Sequence, residues 1–479
     1  MIYNMSNLKV NFIYNSMYQL LIMFIPLLTT PYLSRVLGSG GVGIYSYNFS
    51  IANYFVLFIM LGLNNYGNRE IAKVKDDKNK LESSFWNIYI MQFFCGVVIN
   101  IIYIAYCFTI AKNKIIALIM GIYVFSGILD INWFFFGIEK FKLTVIRNTV
   151  IKILVTCLIF VLVKTNQDVW KYCLIMSFGI LISQIVMWRY LKHEICYVKP
   201  TWKEVKRHIV PNLFLFLTVL AISLYKIMDK IMLGILSFDS QVGYYELSEK
   251  IIAIPTALIT SLGTVMLPRM SNLVAKKENE SSLLNKSIIL AMFLSSSMCF
   301  GIMSVAKEFV PLFYGKGYQT CIYLYLILLP SCVFLTFANV IRTQFLLPHQ
   351  MDKTYVVSTF LGAGINVFAN LLFIPKYGAV GAGIGTLLAE ITVCLYQSIA
   401  VARNIPVLGY VKETIPFIIA GIGMFFILYP LNMSSNLFLG IIYKVVLGIG
   451  LYFIFLTIGL VLFNHAMLKR IIDAIKNKI

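Results

Sequence analysis

The amino-acid sequence predicts an all-α membrane protein, and two observations carry that prediction. Hydrophobic residues make up 59% of the 479 residues and charged residues only 13%, whereas soluble domains are about 45–50% apolar and about 25% charged. Apolar runs also recur along the chain at the length of about 20 residues that a membrane-crossing helix needs. Because backbone polar groups in lipid must be bonded internally, such long continuous runs predict helices rather than the short alternating strands of a barrel.

The apolar runs predict about 14 transmembrane helices. The thirteenth run is short and is also compatible with a re-entrant segment. In chain order the predicted spans are residues 11–34, 44–63, 85–109, 115–136, 143–163, 171–190, 211–233, 246–267, 287–306, 320–346, 355–374, 378–399, 414–431 and 438–463.

The distribution of charge predicts the orientation of these spans. A net charge of +20 is compatible with a nucleic-acid partner, but most basic residues lie in loops on one side of the predicted spans, including 69–80, 192–207 and 269–286. That bias follows the positive-inside rule and places both termini in the cytoplasm. The first apolar run is too long for a cleavable signal and ends in PYLSR, so it reads as a true span. We therefore expect a multi-pass membrane protein and no nucleic-acid partner.

Motifs for catalysis or cofactor binding are missing from the sequence. The nine cysteines form no CxxC pair, the four histidines have no metal-ligand spacing, and no nucleotide-binding P-loop occurs. No long outer loop offers the paired acids of a glycosyltransferase or the basic residues of a repeat-unit polymerase or ligase. We expect a transporter rather than an enzyme, without a metal or cofactor other than a coupling ion.

The two halves of the chain echo each other. LGSGGVGIY (37–45) recurs as LGILSFDSQVGYY (233–245), and FGIEKFK (136–142) aligns with LPHQMDK (347–353). Six crossings return a chain to its starting side, so the halves are predicted to be parallel six-helix lobes around a central cavity. The predicted boundaries are 1–195 for the N-terminal lobe and 196–402 for the C-terminal lobe. Residues 403–479 then form two additional helices and a basic cytoplasmic tail.

Charged residues within spans usually face a cavity or a partner, because they are costly in lipid. Lys226, Asp229 and Lys230 share one face of the seventh span. They form either an anion-binding wall of the cavity or a structural ion pair with one lysine reaching the interface. Glu246 and Glu249 open the next span and are placed to pair with that face.

A second group of charges lies toward the predicted cytoplasmic ends of spans four and ten. The repeat puts Asp130 opposite the neighbour of Arg342, which suggests an ion pair that latches the two lobes. Alternatively, Asp130 caps its own helix neighbours or bonds to Asn132. We expect Trp133 and the phenylalanines 134–136 to lie at the lipid boundary.

Four more charges stand alone in the predicted spans. Lys152 and Glu390 lie near mid-membrane, where a carboxylate either binds a coupling ion or bonds to a neighbour such as Thr386. Arg35 ends the first span on the outer side and is a candidate for facing the cavity. Lys444 is expected to extend along its helix to the interface.

Four stretches together resemble the Wzx-type flippases of the multidrug/oligosaccharidyl-lipid/polysaccharide exporter superfamily. The resemblance implies alternating access of two lobes and flipping of an undecaprenyl-diphosphate-linked oligosaccharide to the outer leaflet, for O-antigen, capsule or exopolysaccharide synthesis. It also implies a polysaccharide polymerase and a chain-length regulator as partners. The stretches are PYLSRVLGSGGVGIYSY (31–47), DINWFFFGIEKFKLTVIRN (130–148), YKIMDKIMLGILSFDSQVGYYELSEKI (225–251) and IPKYGAVGAGIGTLLAE (374–390).

With this resemblance the buried charges acquire candidate roles. A diphosphate needs cations, and the candidates for binding it are Arg35, Lys152, Lys226, Lys230 and Arg342. The candidates for gating or for proton or sodium coupling are Asp130, Asp229, Glu246, Glu249 and Glu390. Two alternatives stay open: a cation-coupled multidrug exporter, which would usually carry an acidic residue in its first helix, and a peptidoglycan-precursor flippase.

Overall fold

The computed structural model describes residues 24–463, except for the side chains of residues 218, 221, 222, 225 and 226. Within that range helices are the only regular secondary structure, and we number them α1 to α17. The first predicted span lies mostly outside the described residues.

The first nine helices run to residue 236. A 3-10 turn, Gly127–Leu129, precedes α6, and another, Asn166–Asp168, precedes α8. The bounds are 24–36 for α1, Gly38–Met60 for α2, Leu63–Val74 for α3, Lys78–Thr109 for α4, Lys114–Ser126 for α5, Asn132–Gly137 for α6, Phe141–Leu162 for α7, Val169–Leu191 for α8 and Trp202–Leu236 for α9.

Eight further helices follow. A π-helical turn, Arg342–Leu346, extends α13. The bounds are Asp239–Ala275 for α10, Ser281–Ser304 for α11, Ala306–Tyr314 for α12, Gln319–Ile341 for α13, Asp352–Tyr377 for α14, Ala379–Val401 for α15, Val407–Leu428 for α16 and Leu437–Phe463 for α17.

Among the described residues, 12 helical segments are long and apolar enough to cross a membrane. They coincide with twelve of the predicted spans, including the short thirteenth, which forms the 22-residue helix α16. The seventh predicted span is helical within α9, which contains the side chains outside the description. The prediction of a multi-pass, all-helical membrane protein is therefore confirmed, whereas the full count of 14 stays a prediction.

The chain divides into two compact units, the first ending at Gly234 and the second beginning at Ile235. In the first unit α2 packs against α4, α5 and α8, and α3 packs against α4 and α6. In the second unit α13 packs against α10, α11 and α15, and α14 packs against α15. The two C-terminal helices, α16 and α17, pack on each other and on α11 and α12 of the second unit.

The internal repeat is visible in the backbone. Glu139 and Gln350, which are 211 positions apart, both have positive φ, 60° and 57°. Each occupies the left-handed position of a Schellman helix ending. Lys140 N donates to Phe135 O over 2.9 Å in the first half. Met351 N donates to Leu346 O over 2.9 Å at the same offset in the second. The shared helix ending agrees with the alignment of FGIEKFK with LPHQMDK.

The first half of the repeat contains a break that the second half lacks. The segments Gly38–Val74 and Asp239–Ala275 each span 37 residues, but α2 ends at Met60 and α3 restarts at Leu63. Leu61 at the break has a φ of 47°, a conformation that costs a non-glycine residue of the order of 1 kcal/mol. A Cβ on Gly62 would lie 2.7 Å from Asn212 O, so glycine is needed for α9 to approach the break this closely.

Candidate functional site

A buried arginine organises the polar interior of the first unit. Arg147, on α7, is only 6% exposed. Its Nη1 donates to Ser183 O on α8 over 3.1 Å, and its Nη2 donates to Asn132 Oδ1 over 2.9 Å. Its Nε and Nη2 also donate to Asn148 Oδ1, over 3.1 and 2.8 Å. The guanidinium thus ties α6, α7 and α8 together inside a segment that crosses the membrane.

Asp130 is linked to this arginine through Asn132. The backbone N and the Nδ2 of Asn132 donate to Asp130 Oδ1 over 3.0 and 2.7 Å. The same Asn132 side chain accepts from Arg147, so a carboxylate and a guanidinium are bridged by one amide. Opposite charges placed this way compensate each other in a region where an isolated charge is costly. We call Asp130, Asn132 and Arg147 the charge relay.

Local structure explains why Asp130 is available for the relay. The 3-10 turn Gly127–Leu129 ends α5, and Asp130 adopts an extended conformation with ψ of 101°. Gln92 on α4 supports this break, because its Nε2 donates to Gly127 O and Asp130 O, each over 2.9 Å. An interrupted helix leaves carbonyls without their usual donor four residues further on, and the Gln92 amide donates to two of these carbonyls.

The structure tests one of the two predictions for Asp130. The bond to Asn132 is confirmed. The latch to Arg342 stays a prediction, since the two residues belong to different units. Arg342 itself lies in the π-turn, donates to Asn339 Oδ1, and places its guanidinium carbon 5.4 Å from the centre of the Tyr355 ring. Sequence reasoning missed Arg147, although a basic residue inside the predicted span 143–163 was a usable signal.

The predicted position is wrong for three of the four aromatic residues after Asp130, whereas Phe136 is half-buried. Trp133, Phe134 and Phe135 are each 0% exposed, whereas we expected them at the lipid boundary. Trp133 stacks on Phe85 at 5.4 Å and donates its Nε1 to Gln92 Oε1 over 3.0 Å. The break before α6 turns this short helix against α3, which buries rings that a continuous helix would have presented to lipid.

The predicted anion-binding face of α9 belongs largely to the first unit. Asp229 is buried, 3% exposed, and its carboxylate interacts electrostatically with Tyr54 on α2. Lys230 is half-buried and has an interaction partner, while the side chain of Lys226 lies outside the described residues. Both readings of this face, anion-binding wall and structural ion pair, stay predictions.

The remaining predicted residues are divided between the units. In the first unit Arg35 is exposed and donates its Nη1 to Pro31 O over 2.9 Å, and Lys152 is half-buried on α7. In the second unit Glu390 is buried on α15, and Glu246 pairs with Lys250 on its own helix at 3.2 Å. Glu249 is half-buried on α10.

A further charged pair is buried in the second unit. Lys444 on α17 was expected to extend to the interface, but it is 1% exposed, so that prediction is wrong. Its Nζ lies 2.7 Å from Glu308 Oε1 on α12 and donates to Ser304 O over 3.3 Å. The carboxylate of a buried acid compensates the charge of a buried lysine, so the ammonium group does not have to reach water. The pair fastens α17 to α12.

Comparison with known sequences finds a matching family and similar proteins. The sequence profile of the family described as "Polysaccharide biosynthesis protein" matches residues 8–274. A "Putative O-antigen transporter" of Escherichia coli (strain K12) is 27% identical over 405 residues, covering 83% of this chain and 96% of the relative. A second "Putative O-antigen transporter", of Shigella dysenteriae, is 24% identical over 387 residues, covering 78% of this chain and 95% of the relative.

Comparison with solved structures finds a protein with a similar fold. The lipid II flippase MurJ in an inward closed conformation superposes with a TM-score of 0.73, covering 93% of this chain and 98% of that one, at 15% sequence identity. At this level of identity the likeness concerns the fold alone.

Proposed function

The chain belongs to the polysaccharide biosynthesis protein family, and on that premise we propose that it flips undecaprenyl-diphosphate-linked oligosaccharide repeat units across the bacterial inner membrane. Movement is from the cytoplasmic to the outer leaflet, for O-antigen, capsule or exopolysaccharide synthesis. The observation that carries the proposal is the match to an O-antigen transporter over nearly the whole length of that relative, together with the family match. The relatives are transporters by name, and we propose no enzymatic activity.

The substrate sets the physical problem that the protein solves. A diphosphate bearing sugars cannot leave water without compensating polar contacts, because burying an unpaired charge is costly. Cations inside the membrane supply those contacts, and the candidates are Arg35, Lys152, Lys226, Lys230 and Arg342. The polyprenyl tail stays in the bilayer while two lobes alternate around the headgroup.

Coupling to an ion gradient is assigned to the buried carboxylates, without a resident cofactor. In the charge relay, a proton or sodium ion on Asp130 removes the negative charge that Asn132 connects to Arg147. The guanidinium is then less well compensated, and the packing of α6 against α7 and α8 is favoured less. Such a two-state element is what an alternating-access transporter needs. Asp229, Glu246, Glu249 and Glu390 are further candidates for coupling or gating.

The proposal includes an orientation and partners. Both termini lie in the cytoplasm, in agreement with the positive-inside rule. A polysaccharide polymerase and a chain-length regulator take the flipped unit at the outer face.

Flipping in liposomes tests the proposal. Purified protein is reconstituted with a fluorescent undecaprenyl-diphosphate oligosaccharide from cells that make the chain, and accessibility of the label in the outer leaflet is followed with and without proton or sodium gradients. We expect transfer by the native chain and a loss of about tenfold or more in K226A/K230A, the equivalent of one charge-assisted contact. The matched control is K192A/K199A, in exposed loop lysines, which should flip at the native rate.

Three results would contradict the proposal. The first is no transfer under any gradient with efflux of cationic dyes, which indicates a drug exporter. The second is preferential transfer of lipid II in the same liposomes, which indicates a peptidoglycan-precursor flippase. The third is equal rates in K226A/K230A and in the control, which removes the diphosphate role of that face.

A further inference from the structure

The first unit contains a cavity lined by polar and charged residues, none of which belongs to the charge relay. Its volume is about 610 Å³, within the range of roughly 300–1,000 Å³ that is typical of small-molecule sites. Three helices form its walls: the end of α3, the start of α4 and the start of α9. These helix ends carry the basic segments that the positive-inside rule places in the cytoplasm. We call this the basal pocket.

Hydrogen bonds hold the walls of the basal pocket in place. Tyr66 on α3 bonds through its hydroxyl to His208 Nδ1 on α9 over 2.7 Å. Asn87 on α4 accepts from Thr201 N, next to the start of α9, over 3.0 Å. Glu82 on α4 accepts from Cys196 N over 3.0 Å. A cavity with fixed walls binds a ligand at a smaller entropic cost than one that must be ordered first.

The lining mixes hydrogen-bond donors and acceptors on all three walls. Arg69 and Glu70 come from α3, Asn79 and Ser84 from α4, and Glu204 and Arg207 from α9. The arginines pair loosely, Arg69 with Glu70 at 3.6 Å and Arg207 with Glu204 at 3.7 Å, and both are mostly exposed. Glu70 also forms a closer ion pair with Lys73, at 2.8 Å, which is exposed as well. Exposed pairs of this kind contribute little stability, so their groups are free energetically to exchange partners.

This mixture distinguishes between two classes of ligand. A phosphate group only accepts hydrogen bonds, so it would use the cations Arg69, Lys80 and Arg207 but would be repelled by the carboxylates Glu70 and Glu204. A sugar is uncharged, and each hydroxyl both donates and accepts, so carboxylates, guanidinium groups and amides all have a use. The volume also exceeds what one phosphate fills. The lining and the volume therefore favour a polyhydroxylated ligand.

We infer that the basal pocket docks the sugar part of the lipid-linked oligosaccharide on the cytoplasmic side before translocation. The inference rests on the proposed function, because it takes its ligand from it. It adds a site that is separate from the membrane cations assigned to the diphosphate. In this arrangement the pocket recognises the glycan and leaves the charged diphosphate to the residues inside the membrane.

Binding of two lipids that differ only in the glycan tests the inference. The full chain in nanodiscs is titrated with undecaprenyl-diphosphate oligosaccharide from its own cells and with bare undecaprenyl diphosphate. The pocket variant is S84A/E204A, and the matched control is R269Q, an exposed arginine of the second unit at the position that the repeat aligns with Arg69. We expect the pocket variant to bind the glycosylated lipid about tenfold more weakly, as expected for one or two lost hydrogen bonds, and to bind the bare lipid as before.

The outcomes separate this inference from the proposed function. If the native chain flips the glycosylated lipid and S84A/E204A binds it as tightly as R269Q does, the pocket inference is wrong and the flippase stands. If the variant weakens both lipids equally, the pocket recognises phosphate instead. If the native chain neither binds nor flips the glycosylated lipid, both proposals fail. S84W alone fills the cavity from the α4 wall, and it gives the same comparison should the double variant fold poorly.

Discussion

The two halves of the repeat share a helix ending but differ in their buried polar networks. Both end the fourth-span region in a Schellman turn with a left-handed residue, Glu139 in one and Gln350 in the other. At the same offset of 211 positions, Arg147 corresponds to Ser358. Arg147 takes part in the charge relay, whereas Ser358 accepts a neutral hydrogen bond from Gln397 over 2.9 Å. At this pair of matched positions, the first half therefore has a charged hydrogen-bond network and the second half an uncharged one.

The second difference is a helix break in the segment Gly38–Val74, which aligns with Asp239–Ala275 in the repeat. The segment Gly38–Val74 breaks at Leu61 and Gly62, while Asp239–Ala275 continues as one helix. The break starts a new helix, α3, whose Tyr66 reaches His208 on α9. The basal pocket depends on that separate helix, since α3 forms one of its walls. A small local change on a common frame therefore creates one wall of the basal pocket in the first half.

The largest expected effect comes from the charge relay. Arg147→Met leaves the Asp130 carboxylate without its compensating charge, and we expect the free energy of unfolding to fall by about 3 kcal/mol. Ser358→Ala, at the matched position of the other half, should cost less, about 1–2 kcal/mol, because the buried Gln397 Nε2 loses its hydrogen-bond partner. Reversible unfolding of the purified chain in mixed detergent micelles measures both. Equal losses would remove the contrast between the two halves.

A double variant isolates the cause of that effect. R147M/D130N no longer contains an uncompensated carboxylate, so it should recover part of the stability lost in R147M. No recovery would mean that Arg147 stabilises the unit through its hydrogen bonds to Asn132, Asn148 and Ser183 and not through the charge of Asp130.

The break between α2 and α3 should give the next largest effect. In Gly62→Ala the new Cβ meets Asn212 O at 2.7 Å and Leu215 Cβ at 2.9 Å, and backbone atoms of α9 must shift. We expect a loss of about 2 kcal/mol, as is usual for overpacking. The matched control is Gly301→Ala on α11, where a Cβ meets nothing within 4 Å. If the two alanine variants unfold alike, the close approach of α9 to the break is not important for stability.

The smallest effect concerns pH. Burial lowers the pKa of His208 from an unfolded value of about 6.5, and the ring accepts a bond from Tyr66 only while Nδ1 is unprotonated. The unfolded chain therefore takes up a proton at higher pH than the folded chain does. Stability from neutral His208 is complete above pH about 6.5 and is lost as the pH falls below it. H208Q should flatten the decline in unfolding temperature between neutral and acid pH, and an unchanged slope would contradict this.

Several features of the fold and the site could be predicted from local sequence. Twelve spans, the all-helical class and the offset of the second echo agree with the structure. The bond between Asp130 and Asn132 was also predicted, because the two residues are neighbours in the chain. Each of these depends on composition over a window or on residues close in sequence, which a linear pattern contains.

The partners of the buried charges were decided by the tertiary structure. Lys444 meets Glu308 from another helix, and Arg147 meets Asn132 and Ser183 across two helix boundaries. Trp133 is buried against Phe85 rather than placed in lipid. In a membrane, lipid-facing and protein-facing surfaces are both apolar, so the hydrophobic pattern does not tell which face of a helix packs inward. The sequence alone therefore determined that this chain spans the membrane in a repeated frame, and only the packing of its helices determined which charges are compensated and where a polar pocket opens.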